Sequence, residues 1–293
     1  MPLIASRTAG CRMPPAVDHF PSDRVTATLK RWKDLPELAR DVRKRAAEAD
    51  LFFHFKPGRK RYIPVALKPW IVTQTQRRYL RRISMLLERA AQRILPERFA
   101  RKEIAELLPF AEEEERWIRE AYGEDYRRPE TFFSRMDVST DLGRPDWKAR
   151  AWFLEANFVG IGATYYSWCA SRIAKEVFAP RLSRELKLRL ASEDDILDMI
   201  FRRCRAHAAK IGRPDPTVAF LEQKEIEHGP FEYQTMERIY RERGCRMIVA
   251  DPAELRFEGG ELRCGSTRVD LIYRDPTLAE LVEMESQGIE MGP

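Results

Sequence analysis

Apolar positions along this chain follow two rhythms: spacings of three and four predict helices, and spacings of two predict strands. The strongest helical stripe is Leu80, Ile83, Leu86, Leu87, Ala90, Ala91 and Ile94, over 75–95, with Pro96 expected to end it. Before it come an amphipathic helix at 35–49, an apolar strand at 51–55, a basic turn at 56–61 and an extended segment at 62–72 broken by Pro64 and Pro69. Helices follow at 102–108, 112–122, 164–178 and 193–211, the last with Ser192 and Asp195 at a capped start. After Gly212, strands at 217–221 and 246–250 flank a helix at 231–243 closed by Gly244, the length of a parallel crossover. A hairpin around Glu258-Gly259-Gly260, a strand at 269–273 and a helix at 276–284 complete the pattern. The fold class expected is α/β (α+β), with a helical N-terminal region and a Rossmann-like β-α-β segment.

The centre of the chain is two strands, 132–139 and 151–158, around a polar loop. Arg135 and Asp137 lie two apart on the first, and Glu155 and Asn157 two apart on the second. Side chains two apart share a face, so a hairpin would present all four together. Trp152 and Leu154 fall on the opposite face, which is expected to meet the core while the charged face lines a cleft. Asp137, Glu155 and Asn157 are hard oxygen ligands, and Mg²⁺ takes few protein carboxylates alongside phosphate oxygens. Arg135 offers a fork to a phosphoryl group or oxyanion. Two readings stay open: a metal–nucleotide site, or a surface hairpin with an Arg–Asp pair and an incidental Glu.

Composition narrows the classes. The chain has 293 residues, 44% hydrophobic and 10% aromatic, enough for a real core, and a net charge of +6 suited to anionic ligands. Five scattered cysteines and four histidines show no zinc spacing, and a reduced, cytoplasmic protein is expected. No apolar run is long enough to span a membrane, no membrane partner is expected, and the N-terminus lacks the apolar region of a signal peptide. Residues 1–30 read as a loose arm, 31–130 as mainly helical, 131–212 as the strand pair with its following helices, and 213–293 as the β-α-β segment.

Other features carry two readings each. Gly160 and Gly162 open a helix, either as an anion or cofactor cradle or as a tight turn; they form neither a dinucleotide fingerprint nor a P-loop. His228 and Glu232 lie where α/β clefts take ligands, and either touch substrate or belong to an ordinary loop. Arg77, Arg78, Arg81 and Arg82 form an anion-binding patch with 56–61, or a solvated helix face; no aromatic residues interleave as in single-strand binders. Cys169 and Cys204 read as core residues.

The order Arg135-x-Asp137, then Leu154-Glu155-x-Asn157, then a glycine turn, resembles the circularly permuted ATP-grasp proteins, including the glutathionylspermidine synthase-like group. The likeness continues through the β-α-β segment to Asp270-x-x-Tyr273-Arg274, and covers about 130–290. It implies an ATP-grasp-like body and an ATP-dependent carboxylate–amine ligase working through an acyl-phosphate, with small acid and amine substrates. Asp137, Glu155 and Asn157 would hold Mg²⁺ against ATP phosphates, Arg135 would act catalytically on the phosphoryl group, and Arg274 would lie on the substrate side. No general base is implied. Two departures stand out: Asp275 follows Arg274 where the family commonly has a second arginine, and the lysines and strands that clamp the nucleotide would fall beyond Arg274, so the ligase is expected to be incomplete as given. The rival readings are a binding module that keeps the fold without the clamp, and a basic nucleic-acid-associated protein.

Overall fold

The computed structural model describes residues 3–7, 18–56, 59–121, 133–190, 195–223 and 232–290. In chain order the elements are β1 (Leu3–Arg7), α1 (Ser22–Lys30), α2 (Leu35–Glu48), β2 (Phe52–Lys56), β3 (Arg59–Tyr62), β4 (Ile71–Thr73) and α3 (Gln74–Ala100). Then come α4 (Lys102–Leu107), α5 (Glu112–Ala121), β5 (Arg135–Ser139), β6 (Trp152–Asn157), α6 (Thr164–Leu186), β7 (Leu188–Leu190) and α7 (Ile196–Lys210). The last part holds β8 (Val218–Leu221), α8 (Glu232–Glu242), β9 (Met247–Ala250), β10 (Leu255–Glu258), β11 (Glu261–Cys264), β12 (Thr267–Val269), β13 (Leu271–Arg274) and α9 (Leu278–Ser286). The mixture of helices and sheets is the expected α/β class.

Helix α6 is the spine. Its buried residues, among them Tyr165, Cys169, Ile173, Phe178, Leu182 and Leu186, are spread over more than one face and form no single apolar stripe, while Arg172, Glu176 and Arg184 stay exposed. It packs against α1, α2, α7, α8 and β7. Each apolar side chain fully buried there contributes about 1.5–3 kcal/mol. The expectation of a helix ending at 178 is corrected: α6 runs on through Pro180 to Leu186, because Phe178, Ala179 and Leu182 are buried beyond the point where propensity alone would stop it. Cys169 and Cys204 are core residues, as their apolar neighbours suggested.

The β8–α8–β9 unit is a parallel crossover, and β13 joins β8 on its other side, giving the order β13-β8-β9. Val218 and Phe220 face the main core while Ala219 and Leu221 face a second one with Ala250, Leu255 and Val269. Burial on both faces is what a parallel sheet requires. Phe220 stacks on Tyr273 with centroids 4.5 Å apart.

Several boundaries differ from expectation. Within 1–30, β1 pairs with β4 in parallel and with β7 antiparallel, and 22–30 is helix α1. The basic turn is partly strand, since β3 pairs with β2. Helix α3 passes through Pro96 to Ala100. Its far end is held by Arg98, buried against Glu115 at 2.5 Å and donating to the Leu108 carbonyl at 2.8 Å, and this anchoring offsets the backbone bond lost at proline. Its near end is held by a capping box: Thr73 accepts from the Gln76 amide, and Gln76 accepts from that of Thr73. Gln76 also donates to the Leu142 carbonyl at 2.6 Å, which ties α3 to the loop between β5 and β6.

Phe178→Ala is expected to destabilise the chain by about 3–5 kcal/mol, because it empties the site where this ring stacks near Trp32. Urea unfolding measures it; a loss below about 1 kcal/mol would show that α6 is not the spine.

Candidate functional site

Strands β5 and β6 pair antiparallel, with Arg135 opposite Asn157 and Asp137 opposite Glu155. Direct cross-strand partners share a face, so the four polar side chains expected together do project together. A bulge after Asp137 shifts the register, Val138 pairing with Phe153, and ends the polar patch. The other face corrects the expectation of an apolar side on the core: Trp152 and Leu154 are 69% and 70% exposed. A two-stranded ribbon has only one side occupied by its own domain, and here the polar side turns towards the start of α6.

Arg135 shows that orientation. Its Nε and Nη2 donate to the two oxygens of Asp137 at 2.9 and 3.2 Å, and its Nη1 donates to the Gly162 carbonyl at 2.8 Å. The guanidinium therefore bridges β5 to the turn before α6. Both partners of the ion pair are more than a third exposed, so opening it costs no more than about 1 kcal/mol. Asn157 Nδ2 is buried without a partner, an orphaned polar atom on the same face.

The turn 160–163 is a tight one. Gly160 has φ +62°, and a Cβ there would meet the Asp275 carbonyl at 3.0 Å, so glycine is required. Ala163 is left-handed at φ 63° and caps α6 without a side-chain bond of its own. The cap comes from elsewhere. Glu232, 1% exposed at the first position of α8, accepts from the amides of Ala163 and, at 2.7 Å, Tyr165. A carboxylate on a helix N-terminus satisfies orphan donors and meets the positive end of the helix dipole. The amides near Gly160 and Gly162 that could cradle an anion are thus filled by an internal one.

Burial pushes the Glu232 carboxyl up to about 7, against the downward pull of its two amides, with the Asp275 and Glu222 carboxylates adding to the rise. Asp275 is itself raised by burial, although Tyr233 donates to it at 2.8 Å and draws it down. Asp275 thus seats the Gly160 turn from the end of β13, a role that sequence reasoning missed; its only signal was an acidic residue where the resembled family has arginine. Arg274 ends β13 opposite Leu221, at the carboxyl edge of the parallel sheet. His228 lies outside the described residues.

The donors fit a hard cation in kind: Asp137 and Glu155 carboxylates side by side, with the Asn157 amide next to them. Arg135 competes for Asp137. Among the described residues no group of three or more histidine, cysteine, aspartate or glutamate side chains could hold a metal ion, so any cation here would depend on oxygens from a ligand.

No family model matches the chain, and no curated protein does. Spine, crossover sheet and polar hairpin together make an α/β fold of a kind already seen in a solved protein. The chain is similar to a glutathione synthetase-like effector from Globodera pallida, in its apo form, with a TM-score of 0.52 and 11% identity over 87% of this chain and 61% of that one. It therefore spans less than two thirds of that protein's length, and the likeness is one of fold.

Relative to Glu232→Gln, the wild type is expected to lose stability as pH rises from about 4.5 to about 7, on the order of 3 kcal/mol in all, and to level off above. The sign follows from a folded pKa above the unfolded one: the native state binds the extra proton in that window. Urea unfolding across a pH series tests it, and a flat difference would reject the buried charge.

Proposed function

We propose that this chain carries the phosphate-facing hairpin of an ATP-dependent carboxylate–amine ligase of the circularly permuted ATP-grasp type. The observation behind this reading is the β5–β6 register, which puts Arg135, Asp137, Glu155 and Asn157 on one face beside the start of α6. The fold likeness to a glutathione synthetase-like protein supports the same class. In that reaction a substrate carboxylate attacks the terminal phosphorus of ATP, ADP departs, and an amine then displaces phosphate from the acyl-phosphate.

Asp137, Glu155 and Asn157 would hold Mg²⁺, the amide carbonyl of Asn157 turned inward. The cation would offset phosphate charge when bound. Arg135 would leave Asp137, at the small cost its exposure allows, and aim its fork at the transferred phosphoryl group while Gly162 keeps hold of one nitrogen. Residues 131–212 would supply the metal side and 213–293 the substrate side, with Arg274 on the side of a small acid or amine. Four cysteines among the described residues, none of them in a disulfide, suit a reducing, cytoplasmic setting, and no described helix is long and apolar enough to cross a membrane.

A second reading, a binding module without chemistry, is favoured by the closed state of the site: Arg135 is satisfied by Asp137 and Gly162, and Glu232 fills the α6 amides. Titration calorimetry with Mg·ATP separates the two. The ligase reading expects heat from the wild type and binding about tenfold or more weaker in Asp137→Ala and Glu155→Gln. No heat from the wild type, or heat that neither variant alters, would leave the binding module.

A further inference from the structure

Helix α3 is anchored at both ends, half-buried on one side between them and exposed on the other. Gln76 and Arg98 are its buried residues, and the stretch separating them spans about 30 Å at 1.5 Å per residue. At about 100° per residue, Arg77, Arg81, Arg78, Arg89 and Arg82 fall within one arc about 140° wide, with Met85 and the half-buried Glu88 also inside it. Leu86, Ile94 and Leu87 occupy the arc beside it and are all exposed, Leu86 by half. Leu107 and Leu108, at the end of the neighbouring α4, are exposed as well.

Many exposed guanidinia of this chain close on carboxylates, as Arg93 does on Glu97 at 2.8 Å and Arg116 on Glu285 at 2.7 Å. Arg77, Arg78, Arg81, Arg82 and Arg89 make no ion pair or hydrogen bond with any described residue. Glu88 is the one acid between 74 and 96. Arg78, Arg81, Arg82 and Arg89 surround a shallow hollow of about 300 Å³, its remaining lining Met85 and Leu86. Four cationic forks over an apolar floor match an amphiphilic anion, with phosphate on the guanidinia and hydrocarbon on the methionine and leucine.

We infer that α3 is a docking surface for an anionic phospholipid bilayer, lying in the interface plane. Charge complementarity selects an anionic partner, and the apolar side chains within and next to the arginine arc select a bilayer over nucleic acid, whose phosphates give Met85 and Leu86 nothing to bury against. A single convex helix also suits a deformable surface. The contact is peripheral and needs no spanning helix. It stands independently of the ligase reading.

Flotation of the full chain with vesicles tests this. Binding is expected to equimolar phosphatidylcholine–phosphatidylserine vesicles, weakening with salt, and not to phosphatidylcholine alone. Arg78→Glu with Arg82→Glu should lower partitioning about tenfold or more. Met85→Ser with Leu86→Ser should lower it several-fold at unchanged charge. These positions are exposed, and circular dichroism checks the fold; Arg82→Gln, with a smaller loss expected, replaces the charge reversal if that variant misfolds. No binding to the anionic vesicles overturns the proposal. So does apolar substitution without effect together with binding to duplex RNA that only the charge variants weaken, since that pattern belongs to a nucleic-acid surface.

Discussion

One buried carboxylate holds the parts of this protein together. Glu232 starts α8 yet caps α6, so it joins the crossover unit to the spine through two backbone amides. The same turn offers the Gly162 carbonyl to Arg135, and Arg135 in turn grips Asp137. A continuous line of hydrogen bonds therefore runs from the parallel sheet to the polar hairpin. The cost of burying that charge is met by the helix dipole and the orphan donors of α6, which have no other partner in the described residues.

That line explains how the hairpin can be both small and oriented. Two strands alone are marginal in water. Here the ribbon is tied at one end by Arg135 to the α6 turn and at its loop by Gln76 to α3, where Trp147 is buried with its ring edge-on to Tyr79. Its polar face is thereby directed at the spine and its apolar face, with Trp152 and Leu154, is left outward.

Much of the fold was legible in the sequence. The parallel crossover followed from short apolar strands around an amphipathic helix closed by Gly244, and the hairpin followed from the turn at Gly259-Gly260. The four hairpin residues were legible because period-two spacing is a local property. Long helices were misjudged at Pro96 and Pro180, where burial of Arg98 and Leu182 outweighs a local breaker. Strand β1 was missed because its partners, β4 and β7, are supplied by distant parts of the chain.

The sequence by itself determined which residues could share a face: alternation placed Arg135 with Asp137 and Glu155 with Asn157, and helical spacing gathered the arginines of α3. Only the tertiary structure decided what those faces meet. It put Glu232 on the amides of α6, although 67 residues separate it from Tyr165, and it placed Asp275 against Gly160. It left Trp152, Leu154 and the arginine stripe uncovered. The physical reason is that periodicity follows from backbone geometry one residue at a time, whereas capping, burial and pairing depend on which distant surface arrives to supply the missing partner.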